Sequence, residues 1–128
     1  MSDPAQILLV LPDALLRQRV RRALSRVHCE LIELDSPDEF IKTLNGGRFK
    51  LVIASAQLGR ESCLQVLAKV RQAGDGTPFL VLGNNSGSSF RVFVSDGEGV
   101  VLSSRVLDSD NLGRLADSYV AQGRAKSR

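Results

Sequence analysis

Three short, unbroken apolar runs constrain this chain more than anything else in it: Ile7-Leu8-Leu9-Val10-Leu11, Leu51-Val52-Ile53-Ala54 and Phe79-Leu80-Val81-Leu82. A strand with one face in water alternates apolar and polar residues, so runs without alternation belong in a sheet covered on both sides. The segments between them keep helical period. Leu16, Val20, Ala23, Leu24 and Val27 form one apolar stripe, Phe40, Ile41 and Leu44 a second, and Leu64, Leu67, Ala68 and Val70 a third. With Cys29 to Leu34 as a further strand, the pattern reads βαβαβαβ, which predicts a parallel sheet wrapped by right-handed crossovers.

The punctuation agrees with that reading. Pro12-Asp13 turns the chain into the first helix, with Asp13 as its cap, and Ser36-Pro37-Asp38-Glu39 predicts a capping box with proline at the first helical position. Gly46-Gly47 and Gly74 are helix stops. Beyond Gly83 the pattern weakens: Gly83 to Ser89 is a loop, and Phe90-Arg91-Val92-Phe93-Val94 has strand composition where the alternation asks for a helix. Ser95 to Gly99 would turn that segment into a hairpin with Val100-Val101-Leu102. A last amphipathic helix, with Leu112, Leu115, Tyr119 and Val120 on its stripe, starts at Ser109-Asp110. The fold expected is therefore α/β and flavodoxin-like, a doubly wound five-stranded parallel sheet of order 2-1-3-4-5, its fourth helix either irregular or replaced by a strand.

At 128 residues there is room for one domain, burying roughly two-thirds of its unfolded surface. We place that domain at 1–121, with 122–128 a linker or tail toward a further domain. With 43% hydrophobic and 24% charged residues, the composition is that of an ordinary globular protein. Cys29 and Cys63 read as buried apolar side chains rather than a bridge. No apolar run approaches the ~20 residues of a spanning helix, and the start lacks a secretory pattern, so a cytoplasmic protein with no membrane contact is expected. The net charge of +3 comes largely from Arg17, Arg19, Arg21, Arg22 and Arg26 and from Arg124, Lys126 and Arg128. Neither group has interleaved aromatics, and no nucleic-acid motif accompanies them, so direct nucleic-acid binding is not expected.

The run Ile7-Leu8-Leu9-Val10 followed by Leu15-Leu16-Arg17 and Arg21-Arg22-Ala23-Leu24, together with Lys50-Leu51-Val52-Ile53, Thr77-Pro78 and the spacing to Leu107-Asp108, resembles the framework of response-regulator receiver domains. In that family two acidic residues after strand one and an aspartate ending strand three hold Mg²⁺, and the aspartate accepts the phosphoryl group. A hard cation and a transferring phosphoryl group both need that anionic oxygen. The corresponding positions here are Leu11, Pro12 and Ser55. The family's hydroxyl residue corresponds to Gly83, its aromatic switch to Leu102 and its lysine to Arg105, which keeps the charge without the chemistry. Val106 replaces the proline that follows. The resemblance thus implies a degenerate member, a pseudo-receiver, with no metal, no cofactor and no catalytic residue.

Two functional classes follow. The first is a non-phosphorylatable signalling module, the N-terminal regulatory domain of a larger signalling or transcriptional regulator, acting through a protein partner or as a homodimer. The resemblance places its contact face on the fourth helix, fifth strand and fifth helix. Arg17, Arg21, Phe90, Phe93, Leu112 and Tyr119 are the candidate surface residues. The alternative is a small-ligand or nucleotide sensor using the crevice at the carboxyl ends of the strands, with the Gly83 to Ser89 loop as its cradle. An enzyme is not expected. His28, the one histidine, fits the end of the first helix, and Ser55, Ser103, Ser104 and Cys63 lack a base.

Overall fold

The computed structural model describes residues 4–34, 36–83, 89–97 and 102–125, the last four of these by backbone alone. In chain order the elements are β1 (Ala5–Val10), α1 (Ala14–Ala23), β2 (Cys29–Leu34), a 3-10 turn (Pro37–Glu39) running into α2 (Phe40–Gly46), and β3 (Phe49–Ser55). There follow β4 (Gln57–Leu58), β5 (Glu61–Ser62), α3 (Cys63–Gln72), β6 (Phe79–Leu82), β7 (Phe90–Ser95), β8 (Ser103–Leu107) and α4 (Ser109–Ala125). The main sheet has the order β2-β1-β3-β6-β7-β8, while β4 and β5 form a small separate hairpin.

The apolar runs are the central strands. Ile7, Leu9, Leu11, Leu51, Ile53, Leu80 and Leu82 point to one face and meet Val20 and Leu24 of α1 and Leu112, Ala116 and Val120 of α4. Leu8, Val10, Val52, Ala54, Phe79 and Val81 point to the other and meet Phe40 and Leu44 of α2 and Val66, Leu67 and Val70 of α3. Both faces of β1, β3 and β6 are enclosed, which is why those strands show no alternation. Each fully enclosed Leu or Ile contributes roughly 1.5–3 kcal/mol relative to leaving it in water.

The doubly wound α/β architecture is as expected, and β2, β1, β3 and β6 pair in parallel in the expected order 2-1-3-4. The expectation of five parallel strands is corrected beyond that point. β7 pairs antiparallel with β6, and β8 antiparallel with β7, so the sheet has six strands and the final one lies one place further out. The segment that read equally as helix or strand is a strand because its burial has period two: Phe90, Val92 and Val94 are buried and Arg91 is exposed. Its partner is 103–107 rather than 100–102, and residues 98–101 lie outside the described residues.

Local signals account for most boundaries. Asp13 caps α1, its carboxylate accepting from the Leu15 and Leu16 amides at 3.0 and 3.5 Å. The Ser36 hydroxyl accepts from the Asp38 amide at 3.3 Å, but what it opens is the 3-10 turn. A true capping box sits at α3 instead, between Ser62 and Gln65. Gly74 ends α3 with a positive φ of 87°, and the bonds from Gly74 N to Arg71 O and from Asp75 N to Val70 O complete a Schellman turn. Helix α1 stops at Ala23, so His28 is an exposed residue of the link to β2 rather than a helix end. The α4 cap is Asp108, one residue before the start expected, with its carboxylate accepting from the Asn111 amide at 2.8 Å. That helix continues to Ala125, past residue 121.

Two features had no sequence signal. A Cβ on Gly113 would stand 2.5 Å from the Ala23 carbonyl oxygen, so glycine lets α4 lie directly on the backbone of α1. Arg71, near the end of α3, donates to the Asp75 and Thr77 carbonyls, both at 2.9 Å, and to the hydroxyl of fully buried Ser95 at 3.0 Å. It thereby ties α3 to the end of β7. Cys29 and Cys63 are both free, and burial pushes the Cys63 thiol up to about 12, which keeps it inert.

Candidate site at the carboxyl ends of the strands

The parallel strands deliver their carboxyl ends to one crest, where an open cleft of about 500 Å³ is lined by Asp13, Leu16, Arg19, Ser55, Gln57 and Gly83, among others. Ser55 ends β3, half-buried, opposite Leu82. Because Leu51 and Ile53 face α1, period two turns Ser55 toward α1 as well. Leu11 follows β1, but its side chain is fully buried in the α1/α4 core and offers no group to the cleft. Pro12 is exposed. Among the described residues the one carboxylate lining the cleft, that of Asp13, is engaged by the α1 amides, as the sequence reading expected.

Gly83 sits at the cleft with its amide donating to the Arg91 carbonyl at 2.9 Å, extending the β6–β7 ladder. A Cβ there would come 3.1 Å from the Phe93 ring, so a side chain at this position would crowd β7. Arg105 lies within β8, exposed and paired with Val92. With β7 between β6 and β8, Arg105 is two strand positions from β6, about 10 Å across the sheet. Leu102 is half-buried just before β8. The structure therefore brings Ser55 and Gly83 together and keeps Arg105 and Leu102 apart from them. Residues 84–88 of the loop expected to cradle a nucleotide lie outside the described residues.

Arginines of α1 stand near the crest in place of acids. Arg17 donates to the Leu11 carbonyl at 2.9 Å and lies 3.6 Å from Glu33, while Arg21 lies 3.3 Å from the same carboxylate. Arg19 lays its guanidinium over Phe90, 4.5 Å from the ring centroid. The sequence reading named Arg17 and Arg21 of these as candidate surface residues and gave Arg19 no separate role. Arg19 could have been singled out, because it borders the buried stripe of Leu16, Val20 and Ala23.

The expected contact surface is corrected in two places. Phe90 and Leu112 are fully buried in the core shared with α1 and α4, so neither can meet a partner. Phe93 and Tyr119 are half-buried and reach the surface. Burial, together with Asp96 and opposed by Arg105, pushes the Tyr119 hydroxyl above its ordinary value. The opposite face of the β7–β8 hairpin is more open. Phe93, Leu102 and Val106 lie on that side; Phe93 and Leu102 are half-buried against the α2/α3 core, while Val106 is 62% exposed.

No protein-family model matches the chain, and no curated protein is recognisably similar to it in sequence. Solved structures do match. The receiver domain of a Francisella response regulator, 1452, superposes over 94% of this chain and 99% of its own with a TM-score of 0.69 at 12% identity.

The fold is that of a response-regulator receiver.

The signal receiver domain of an HD domain-containing protein from Pseudomonas fluorescens matches 66% of this chain and 68% of its own, with a TM-score of 0.57 and 24% identity. The chemotaxis response regulator CheY4 of Vibrio cholerae covers 66% and 72%, at 0.57 and 21%. This chain has a strand, β7, in the place where the sequence alternation asked for a helix. No helix of the described residues is long and apolar enough to cross a membrane.

Proposed function

We propose that the chain is a receiver-like signalling module that accepts no phosphoryl group and acts by protein contact, as the regulatory domain of a larger signalling or transcriptional regulator. One observation carries the reading: where phosphoryl transfer needs converging carboxylates, the crest has buried Leu11, exposed Pro12 and the hydroxyl of Ser55. A divalent cation is held by anionic oxygens, and Asp13 alone, already capping a helix, is a poor ligand. Ser55 has no base beside it in the cleft lining. Incubation of the folded chain with Mg²⁺ and acetyl phosphate is expected to leave its mass unchanged. A phosphoryl adduct that survives desalting would refute the reading.

The contact surface in this proposal is the open face of the β7–β8 hairpin, with Phe93, Leu102 and Val106, rather than the buried Phe90 and Leu112. An edge strand offers unpaired backbone groups to another strand, so a second copy joined along β8 is the first partner to test. Val106→Glu puts a charge on that face at little cost to folding, because Val106 is mostly exposed. Sedimentation equilibrium is expected to show self-association of the wild type and at least about tenfold weaker association of the variant. A wild type that stays monomeric at all concentrations removes the homodimer.

A further inference from the structure

We propose that the crest cleft is a metal-independent anion site in which Arg19 holds the carboxylate or phosphate group of a small molecule. This goes beyond the docking reading and stands without it.

The first support is the state of Arg19 itself. Its Nη2 is shut off from solvent and has no hydrogen-bond partner among the described residues. A guanidinium carries five donors; Nη2 itself is closed to a molecule in the open cleft, so an anion there would meet the remaining donors and partly offset the cost of holding a half-buried charge without an acceptor. The second support is preorganisation. The guanidinium is held over Phe90, itself fully buried, so a ligand need not order a freely swinging side chain. The third is the balance of charge in the lining. Among the described residues of the lining, Asp13 is the one acid and is engaged by two backbone amides, which leaves Arg19 as the charge without a hydrogen-bonded partner, with the Ser55 hydroxyl free to donate beside it. Among the described residues that hydroxyl makes no hydrogen bond. At about 500 Å³ the cleft exceeds a bare phosphate and has room for a carbon skeleton.

The test is titration of the whole chain with inorganic phosphate and, separately, with succinate, in EDTA, followed by calorimetry and amide chemical-shift perturbation. Saturable binding at millimolar or lower concentration is expected for at least one anion, with shifts at Ser55 and Gly83. Preference for phosphate marks a phosphorylated ligand and preference for succinate a carboxylate. Arg19→Gln is expected to weaken binding at least about tenfold, and Arg22→Gln, exposed on the same helix outside the cleft, to leave it within about a factor of two. Ser55→Asp places a second anion in the cleft while leaving the Arg19–Phe90 contact in place. It is expected to weaken binding as strongly, which keeps the test decisive if Arg19→Gln does not fold. The proposal is overturned if neither anion saturates, if Ser55→Asp binds as the wild type does, or if Arg22→Gln loses as much as Arg19→Gln. None of these outcomes alters the mass measured after acetyl phosphate treatment.

Discussion

Leu11→Asp is expected to remove at least about 4 kcal/mol of stability in urea denaturation at neutral pH, a large share of the roughly 5–15 kcal/mol that a folded domain possesses. Leu11 is fully buried against Val20, Leu24 and the α4 stripe, and deleting a core leucine side chain costs about 2–5 kcal/mol by itself. The carboxylate that replaces it would be shut in among apolar neighbours, adding a penalty of several kcal/mol or forcing it to take up a proton. Pro12→Asp, at an exposed position, is expected to cost less than about 1 kcal/mol. The contrast bears on function. A crest that had merely lost its acids would accept them back, whereas here the first of the two positions has been absorbed into the hydrophobic core. A Leu11→Asp chain that unfolds at the wild-type midpoint would contradict this account.

Arg71→Met is expected to cost about 3 kcal/mol or more by the same measurement. Methionine retains the aliphatic stem and its contact with Phe79, over whose ring the guanidinium lies at 5.5 Å, but removes the donors. The acceptors left behind are the Asp75 and Thr77 carbonyls and the Ser95 hydroxyl, and each buried acceptor without a donor costs about 1–3 kcal/mol. Burial lowers the Arg71 pKa, opposed by Asp75 and Asp96, so the cation bears a desolvation cost that these bonds offset. The penalty is expected to shrink in a Ser95→Ala background, where one orphaned group is already gone, and a double-mutant cycle measures that coupling. A loss below about 0.5 kcal/mol for Arg71→Met would show that the three bonds do not hold β7 in place.

The parts of this fold that were legible in the sequence are those set by local chemistry. The apolar runs of β1, β3 and β6, the Asp13 cap, the Gly46-Gly47 stop and the Gly74 turn each follow from what the residues require within a few positions. The direction of β7 was not legible, since Phe90 to Val94 suits any strand and its antiparallel pairing depends on which edge the chain meets after Gly83. That Leu11, Pro12 and Ser55 carry no carboxylate could be read residue by residue, wherever they point. The burial of Phe90 and Leu112 could not, because period alone does not say which apolar stripe is covered. Arg19 stayed hidden for the opposite reason: an arginine among three others on a helix reads as solvated until a ring is found beneath its guanidinium.

Among the described residues the six-stranded sheet is covered less completely at its outer edge than at its centre. Over β1, β3 and β6 a local opening must part helices from both sides at once, but the outer hairpin is backed by α1 and α4 on one side and on the other is half-covered at Phe93 and Leu102 and open at Val106. Resistance to opening follows the apolar area that has to separate, so the fold is graded from a stiff centre to a soft rim. A partner that stacks on the open part of β7 and β8 around Val106 would complete that cover, and the stiffening it brings would be a signal in its own right, transmitted without any atom at the crest having to react.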